Sequence, residues 1–185
     1  MHRTLLTWRG ERYSSLKDII SRDLDILFVG INPSIVSVES GHNHRGILGQ
    51  RFWDTIIQAG ILKPRAGYYF DEICLEQKIG LTDLVKRPGQ RMNNLDREDF
   101  DTGRGMLFEK IVEYKPRIVC AIYKAVFEKL FETRFTNIHG LIDNYRIGRS
   151  HMFIMAPFFY PRPEREKTAG ELKNLRIQLT KSTKK

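Results

Sequence analysis

Cysteine is scarce: Cys74 and Cys120 stand 46 positions apart with no Cys-x-x-Cys spacing, which excludes the usual thiolate zinc and iron–sulfur frameworks. Long apolar runs are missing too. No stretch approaches the ~18 residues that cross a bilayer, and the opening MHRTLLTWRGERYSSL lacks the uninterrupted apolar segment of a secretion signal. An intracellular, reducing setting without membrane insertion is the expectation. There is no internal repeat, no low-complexity segment before the STKK terminus and no Pro/Gly/Ser-rich linker. Residues 1–185 are therefore expected to form one domain, with 1–22 as a leading segment and 165–185 as a basic C-terminal helix and tail. Neither a Walker lysine motif nor a cluster of metal-binding carboxylates is visible, and His42 and His44 lack a third ligand nearby, so no metal and no organic cofactor is expected.

Hydrophobic residues make up 41% and charged residues 29%, the balance of a soluble protein whose core comes from burial, not of a disordered chain, a collagen or a disulfide-stapled miniprotein. The formal net charge is +9 and the isoelectric point about 9.7, a surplus suited to a polyanion such as nucleic acid or an anionic membrane surface. Residues 165–185 hold +5 of it, so a solvated tail that aids solubility competes with ligand binding as the reading of that segment.

Strand and helix patterns alternate along the chain. Leu24–Gly30, Arg117–Tyr123 and His151–Ala156 are short apolar runs rich in β-branched and aromatic residues, the mark of buried strands, and they are expected to form the sheet centre. Gly80–Val85 is ambiguous and fits a brief edge strand. Phe52, Trp53, Ile56 and Ile57 recur at helical spacing, as do Leu107, Ile111 and Tyr114, and Ala125–Phe131 predicts a third helix. Ser15 followed by Asp18 resembles a capping box and predicts a short leading helix through Leu16, Ile19 and Ile20. Strands joined by helical crossovers imply a mostly parallel sheet of about four strands covered on both faces, a three-layer α/β/α sandwich. Ligands of such sheets bind at the carboxyl ends of strands, which directs attention to Ile31–Ser34, Lys124 and Pro157–Pro163.

In GINPS (Gly30–Ser34), Pro33 freezes the chain beyond Asn32, so the amide either holds a water at the strand tip or caps its own backbone. GHNHRGILGQ (Gly41–Gln50) carries three glycines and two of the five histidines; the imidazole of His44 offers a face for base stacking and the glycines allow close backbone approach to a flat ligand. The Phe52–Trp53 pair reads most simply as core, with Phe52 also carried as a base-binding candidate. Asp83, between apolar neighbours and near Lys86 and Arg87, fits a general base, a stabiliser of a developing cation or a salt-bridged surface residue. Phe158–Arg162 places aromatics and an arginine on a proline-bounded loop, suited to wedging into a base stack, with at least one of Phe158 and Phe159 expected to fold back as a core plug.

Taken together these segments resemble the uracil-DNA glycosylase superfamily, in particular its mismatch-specific uracil/thymine branch. GINPS is similar to that branch's GINPG, RFWDTIIQAGI to its RFW-x3-I-x-QAG, GLTDLVKRP to its G-x-T-x-LV-x-RP, and GRGMLFEKIVEYKPRIV to its GGR-x-L-x-x-K-x-x-x-Y-x-P-RI, in the same order from about residue 24 to 165. The resemblance implies a DNA-repair enzyme, working as a monomer without cofactor, that hydrolyses the bond between a flipped-out damaged or mismatched base and deoxyribose. It implies that Asn32 positions the attacking water and that Asp83 supports catalysis. His44 would stack on the base, while backbone amides around Ile31 and His44 would read its edge. Lys124 would reach a phosphate, and Phe158 and Arg162 would contact DNA. PFFYPRP departs from the small serine-containing loop of relatives, and Tyr123-Lys124 from their usual Gly-Lys. A DNA-binding module of the same fold without turnover is the alternative.

Overall fold

The N-terminal residues make a β-hairpin rather than the predicted leading helix. Strands β1 (Arg3–Trp8) and β2 (Glu11–Leu16) pair antiparallel around a two-residue turn, in which Arg9 (φ 51°) and Gly10 (φ 85°) both take the left-handed conformation that such tight hairpins require. Ser15 is buried and its hydroxyl donates to the Lys86 carbonyl (2.8 Å), so it is not a helix cap. The chain then runs past the edge of the main sheet, where Ile19 forms an antiparallel bridge with Leu81. Trp8 pins the hairpin to the rest of the molecule by donating its indole N–H to the buried Asp99 carboxylate (2.8 Å).

The computed structural model describes residues 2–89, 94–136 and 139–182. After the hairpin come β3 (Ile26–Gly30), α1 (Ile35–Ser40), α2 (Gly46–Gln58), two short 3-10 turns, β4 (Ile79–Asp83), α3 (Arg97–Tyr114), β5 (Ile118–Ala121), α4 (Lys124–Leu130), β6 (Gly140–Ile147), β7 (Ser150–Ile154) and α5 (Arg162–Ser182). The main sheet has the order β4-β3-β5-β7-β6, with every neighbouring pair parallel except β6 against β7. The three predicted central strands are β3, β5 and β7. Gly80–Val85 resolves into β4, the edge strand. The fifth strand, β6, was not predicted: Asp143 and Asn144 are exposed and a register shift between Ile142 and Arg146 breaks its alternation. Residues 183–185 of the expected basic tail lie outside the described residues.

Alternation along the strands builds the three layers. Ile26, Phe28 and Cys120 face one cluster that also holds Phe52 and Ile56 of α2 and Ala169 and Leu172 of α5. Leu27, Val29, Val119 and Ala121 face the other, with Leu107 and Ile111 of α3 and Val126 and Phe127 of α4. β3 is buried along its whole length, which explains its unbroken apolar run. Parallel strands put the ends of β3, β4, β5 and β7 at the same edge, and the segments leaving them enclose a cleft there.

Candidate active site at the strand tips

Registry brings the two candidate catalytic residues together. Gly30 lies opposite Asp83 on the parallel β3–β4 ladder, so Asn32 and Asp83 emerge from adjacent strand tips. The following segments are then zipped to each other: Leu84 N–H donates to the Gly30 carbonyl (2.9 Å), Val85 to Ile31 (2.8 Å) and Gly89 to Pro33 (3.0 Å). The Asn32 amide nitrogen donates to the Arg87 and Gly89 carbonyls (3.3 and 3.5 Å), which turns its carbonyl oxygen into the atom left to accept a hydrogen bond.

Asn32 and Asp83 both line a cleft of about 380 Å³, within the size range of small-molecule sites. Glycine at position 30 is what makes room for the carboxylate: a Cβ there would lie 2.2 Å from Asp83 Oδ1. Among the described residues Asp83 receives no hydrogen bond or ion pair through its side chain. Burial pushes its carboxyl up to about 6, with Lys86 and Lys110 opposing and Asp18 reinforcing that shift. An unpaired carboxylate that titrates near neutrality can stabilise a cation forming in front of it and can accept a proton.

The opposite wall is the loop from Gly41 to Arg45. Gly41 (φ 73°) closes α1, and the buried Asp71 then anchors the loop: its carboxylate accepts the Asn43 N–H (2.8 Å) and faces His42 Nδ1 (3.1 Å), while the His42 ring stacks on Tyr69. His44 lines the cleft with its ring packed on Phe52 at 4.3 Å, and burial pushes it down to about 4, so at neutral pH it is an uncharged flat ring. Gly49 makes room for this loop: a Cβ there would meet the His44 carbonyl oxygen at 2.0 Å.

Several sequence-based assignments change position. Ile31 lines the cleft. Phe52 does not: it is fully buried, packed edge-on to Phe28 and Phe158, and supports His44 from behind, because its place on the inner face of α2 points it at the sheet. Phe158 is only 1% exposed and is therefore a core plug rather than an exposed wedge. Arg51 donates to its carbonyl (3.2 Å) and Tyr123 packs edge-on to its ring, so it forms cleft floor. Phe159, at 67% exposure, stands at the cleft mouth instead. Arg162 is exposed on the first turn of α5 and pairs with Glu166 (2.6 Å), while Lys124 opens α4 and pairs with Glu128 (3.1 Å), outside the residues that line the cleft. Tyr123 and Asp71 were missed. Tyr123 is the last residue of a predicted strand, a usable signal, whereas nothing near Asp71 in sequence hints at a loop 28 residues upstream.

No group of three or more His, Cys, Asp or Glu side chains suited to a metal occurs among the described residues, and no described helix is long and apolar enough to cross a membrane. The family model described as Uracil DNA glycosylase superfamily matches residues 18–179, a span that takes in all five strands of the main sheet and both strand tips of the cleft. An apolar-walled cleft at parallel strand ends, a fixed asparagine beside a carboxylate and a match over most of the length agree: the chain belongs to the uracil DNA glycosylase superfamily, whose members are generally hydrolases acting on DNA.

Proposed function

We propose that this protein is a monofunctional DNA glycosylase of the mismatch-specific uracil/thymine type, which hydrolyses the N-glycosidic bond of an extruded uracil, thymine or deaminated purine. The observation that carries the reading is the convergence of Asn32, Asp83 and His44 on one cleft. The four motif resemblances and the basic charge of the chain support it further.

In this reading the nucleobase lies against the neutral His44 ring, over the floor made by Tyr123 and Phe158. The bond from C1′ to the base breaks with its electron pair leaving on the base, and positive charge develops on the sugar. Asp83 faces that charge. Water held by the Asn32 carbonyl oxygen adds to C1′, and its proton passes to the Asp83 carboxylate. Asparagine is too weak a base to take the proton, so its contribution is position, which in a preorganised site is worth orders of magnitude in rate. Phe159 takes the place at the mouth that the sequence suggested for Phe158, and Arg162 and Lys124 lie on the helix starts beside it for phosphate contact, each exchanging an exposed intramolecular ion pair of small value for the DNA backbone.

The test uses labelled duplexes bearing uracil, thymine, hypoxanthine or xanthine, treated with the pure protein and then with alkali. Cleavage of at least one, lost in Asn32→Ala and in Asp83→Ala, is the expected result. Failure to cleave any of them by the folded protein overturns the enzymatic reading, and mismatch or abasic-site binding indifferent to both substitutions would replace it with a non-catalytic DNA-binding module.

A further inference from the structure

Behind Asp83, across β4 from the cleft, lies a second charged group that the proposed chemistry does not use. Successive strand residues point to opposite faces, so Thr82 and Asp83 leave β4 on opposite sides. On the Thr82 side, Asp18 accepts from the Thr82 hydroxyl (2.7 Å), from the buried Lys86 ammonium and from Lys110 of α3 (2.6 Å); Lys86 also donates to Thr82 Oγ1 (2.8 Å). Asp18 is delivered there by the backbone, since the next residue, Ile19, exchanges N–H and carbonyl with Leu81 (2.9 and 2.8 Å). Lys86 follows Asp83 by only three residues and is the cation best placed by sequence to neutralise it, yet its ammonium is turned to Asp18. Arg87, the next cation, is taken by Asp99.

We propose that Asp18 is a positioning residue for the cleft: by engaging Lys86 and Lys110 together on the far face of β4, it keeps both lysines from pairing with Asp83, which has no cation partner among the described residues and so is able to face a developing positive charge. A lysine paired with Asp83 would oppose that charge and hold the carboxylate ionised and inert towards protons. The arrangement also explains why a buried lysine is tolerated beside the cleft, since its ammonium has two oxygen acceptors. The charged groups that bear on Asp83 from the packed elements are Lys86 from its own segment, Asp18 from the stretch after β2 and Lys110 from α3. Asp18→Asn removes the negative charge and releases two positive ones, and both changes favour an ionised Asp83.

The inference rests on Asp83 being the cleft carboxylate of the proposed reaction, but its test reads Asp83 directly. Carboxyl-carbon NMR titration of the full chain, with the Asp83 signal assigned by its loss in Asp83→Asn, is compared among the unsubstituted protein, Asp18→Asn and Asp18→Glu. The Asp83 midpoint is expected to fall by about one pH unit or more in Asp18→Asn and to stay in place in Asp18→Glu, and the acid limb of single-turnover cleavage of a uracil duplex should move with it. A merely structural Asp18 would lower cleavage equally at every pH without moving the midpoint, and an unmoved midpoint in folded Asp18→Asn overturns the proposal. If Asp18→Asn does not fold, Lys110→Met, which removes a partly exposed cation, should raise the midpoint, and an unchanged value is again fatal. Absence of cleavage with a shifted midpoint would sink the glycosylase reading and leave the clamp standing.

Discussion

Two carboxylates flank β3–β4 at opposite ends of the sheet, and their surroundings are opposite in kind. Asp25, just before β3, is held by Arg176 of α5 (3.1 Å) and by Arg117 at the start of β5 (3.4 Å), and Arg176 also donates to the Ile61 and Gln77 carbonyls (2.9 and 2.6 Å). Asp83, at the end of β4, has no such partner among the described residues. The amino end of the sheet spends its charges on joining α5 to the strands. The carboxyl end keeps a carboxylate with no ion-pair partner among the described residues in an apolar cleft, an arrangement that costs stability and fits the proposed role of facing a charge that develops there.

The contrast breaks most visibly in turnover. Asp83→Ala should lower glycosylase single-turnover rates by about 10²-fold or more, as expected for loss of a positioned acid–base or electrostatic group, with an unfolding midpoint in urea no lower than that of the unsubstituted protein. Asp25→Ala should do the reverse. It removes the buried carboxylate that two guanidinium groups share and is expected to destabilise the fold by about 2 kcal/mol, less than a full buried-pair loss because both groups are partly exposed and keep carbonyl acceptors, while the protein that remains folded turns over normally. Equal stability losses in the two variants would abolish the distinction drawn between the two ends.

Asp83→Asn sharpens the same comparison through pH. In the fold the Asp83 carboxyl is raised from its ordinary 3.8 to about 6 by burial, so the protonated form is favoured by folding. That contribution is fully present below about pH 4 and is lost as pH rises through 6. The asparagine variant, which imitates the protonated acid, should therefore be more stable than the unsubstituted protein by roughly 1–3 kcal/mol at pH 8 and no more stable at pH 4. Denaturation at the two pH values checks it. Cleavage that depends on the ionised acid should fall about tenfold per unit below pH 6, a limb absent from Asp83→Asn.

The smallest effect belongs to the cleft wall. His44→Ala removes a ring whose stacking is worth about 1–3 kcal/mol per base, so half-saturating substrate should rise roughly tenfold, read by single-turnover titration with a uracil duplex. Restoration by His44→Phe is expected, because burial already keeps the imidazole neutral and only its flat face is used. A pH-dependent loss in His44→Phe would instead assign the ring a proton-carrying role.

Legibility in the sequence followed the range of the interactions. β3, β5 and β7 are buried on both faces, so their apolar runs announced them, and the sheet rule led from there to Asn32 and the Pro157–Pro163 segment. The hairpin at 3–16 was hidden because Ser15 and Asp18 carry a capping-box spacing. Their actual partners, the Lys86 carbonyl and the Lys86, Lys110 and Thr82 side chains, lie more than 60 residues away. Phe158 and Phe159 are the same residue type side by side, and only the bond from Arg51 and the contacts of Phe52 and Tyr123 decide which is floor and which is exposed.

By itself the sequence determined the layered α/β class, the strand tips as the place of the cleft and the residue types gathered there, because those follow from local periodicity and from the geometry of parallel strands. Only the tertiary structure decided that Asp83 has no ion-pair partner among the described residues while Asp18, Asp25, Asp71 and Asp99 are all engaged. The ionisation of a carboxylate depends on the burial and charges around it in space, and chain order alone does not reveal those neighbours.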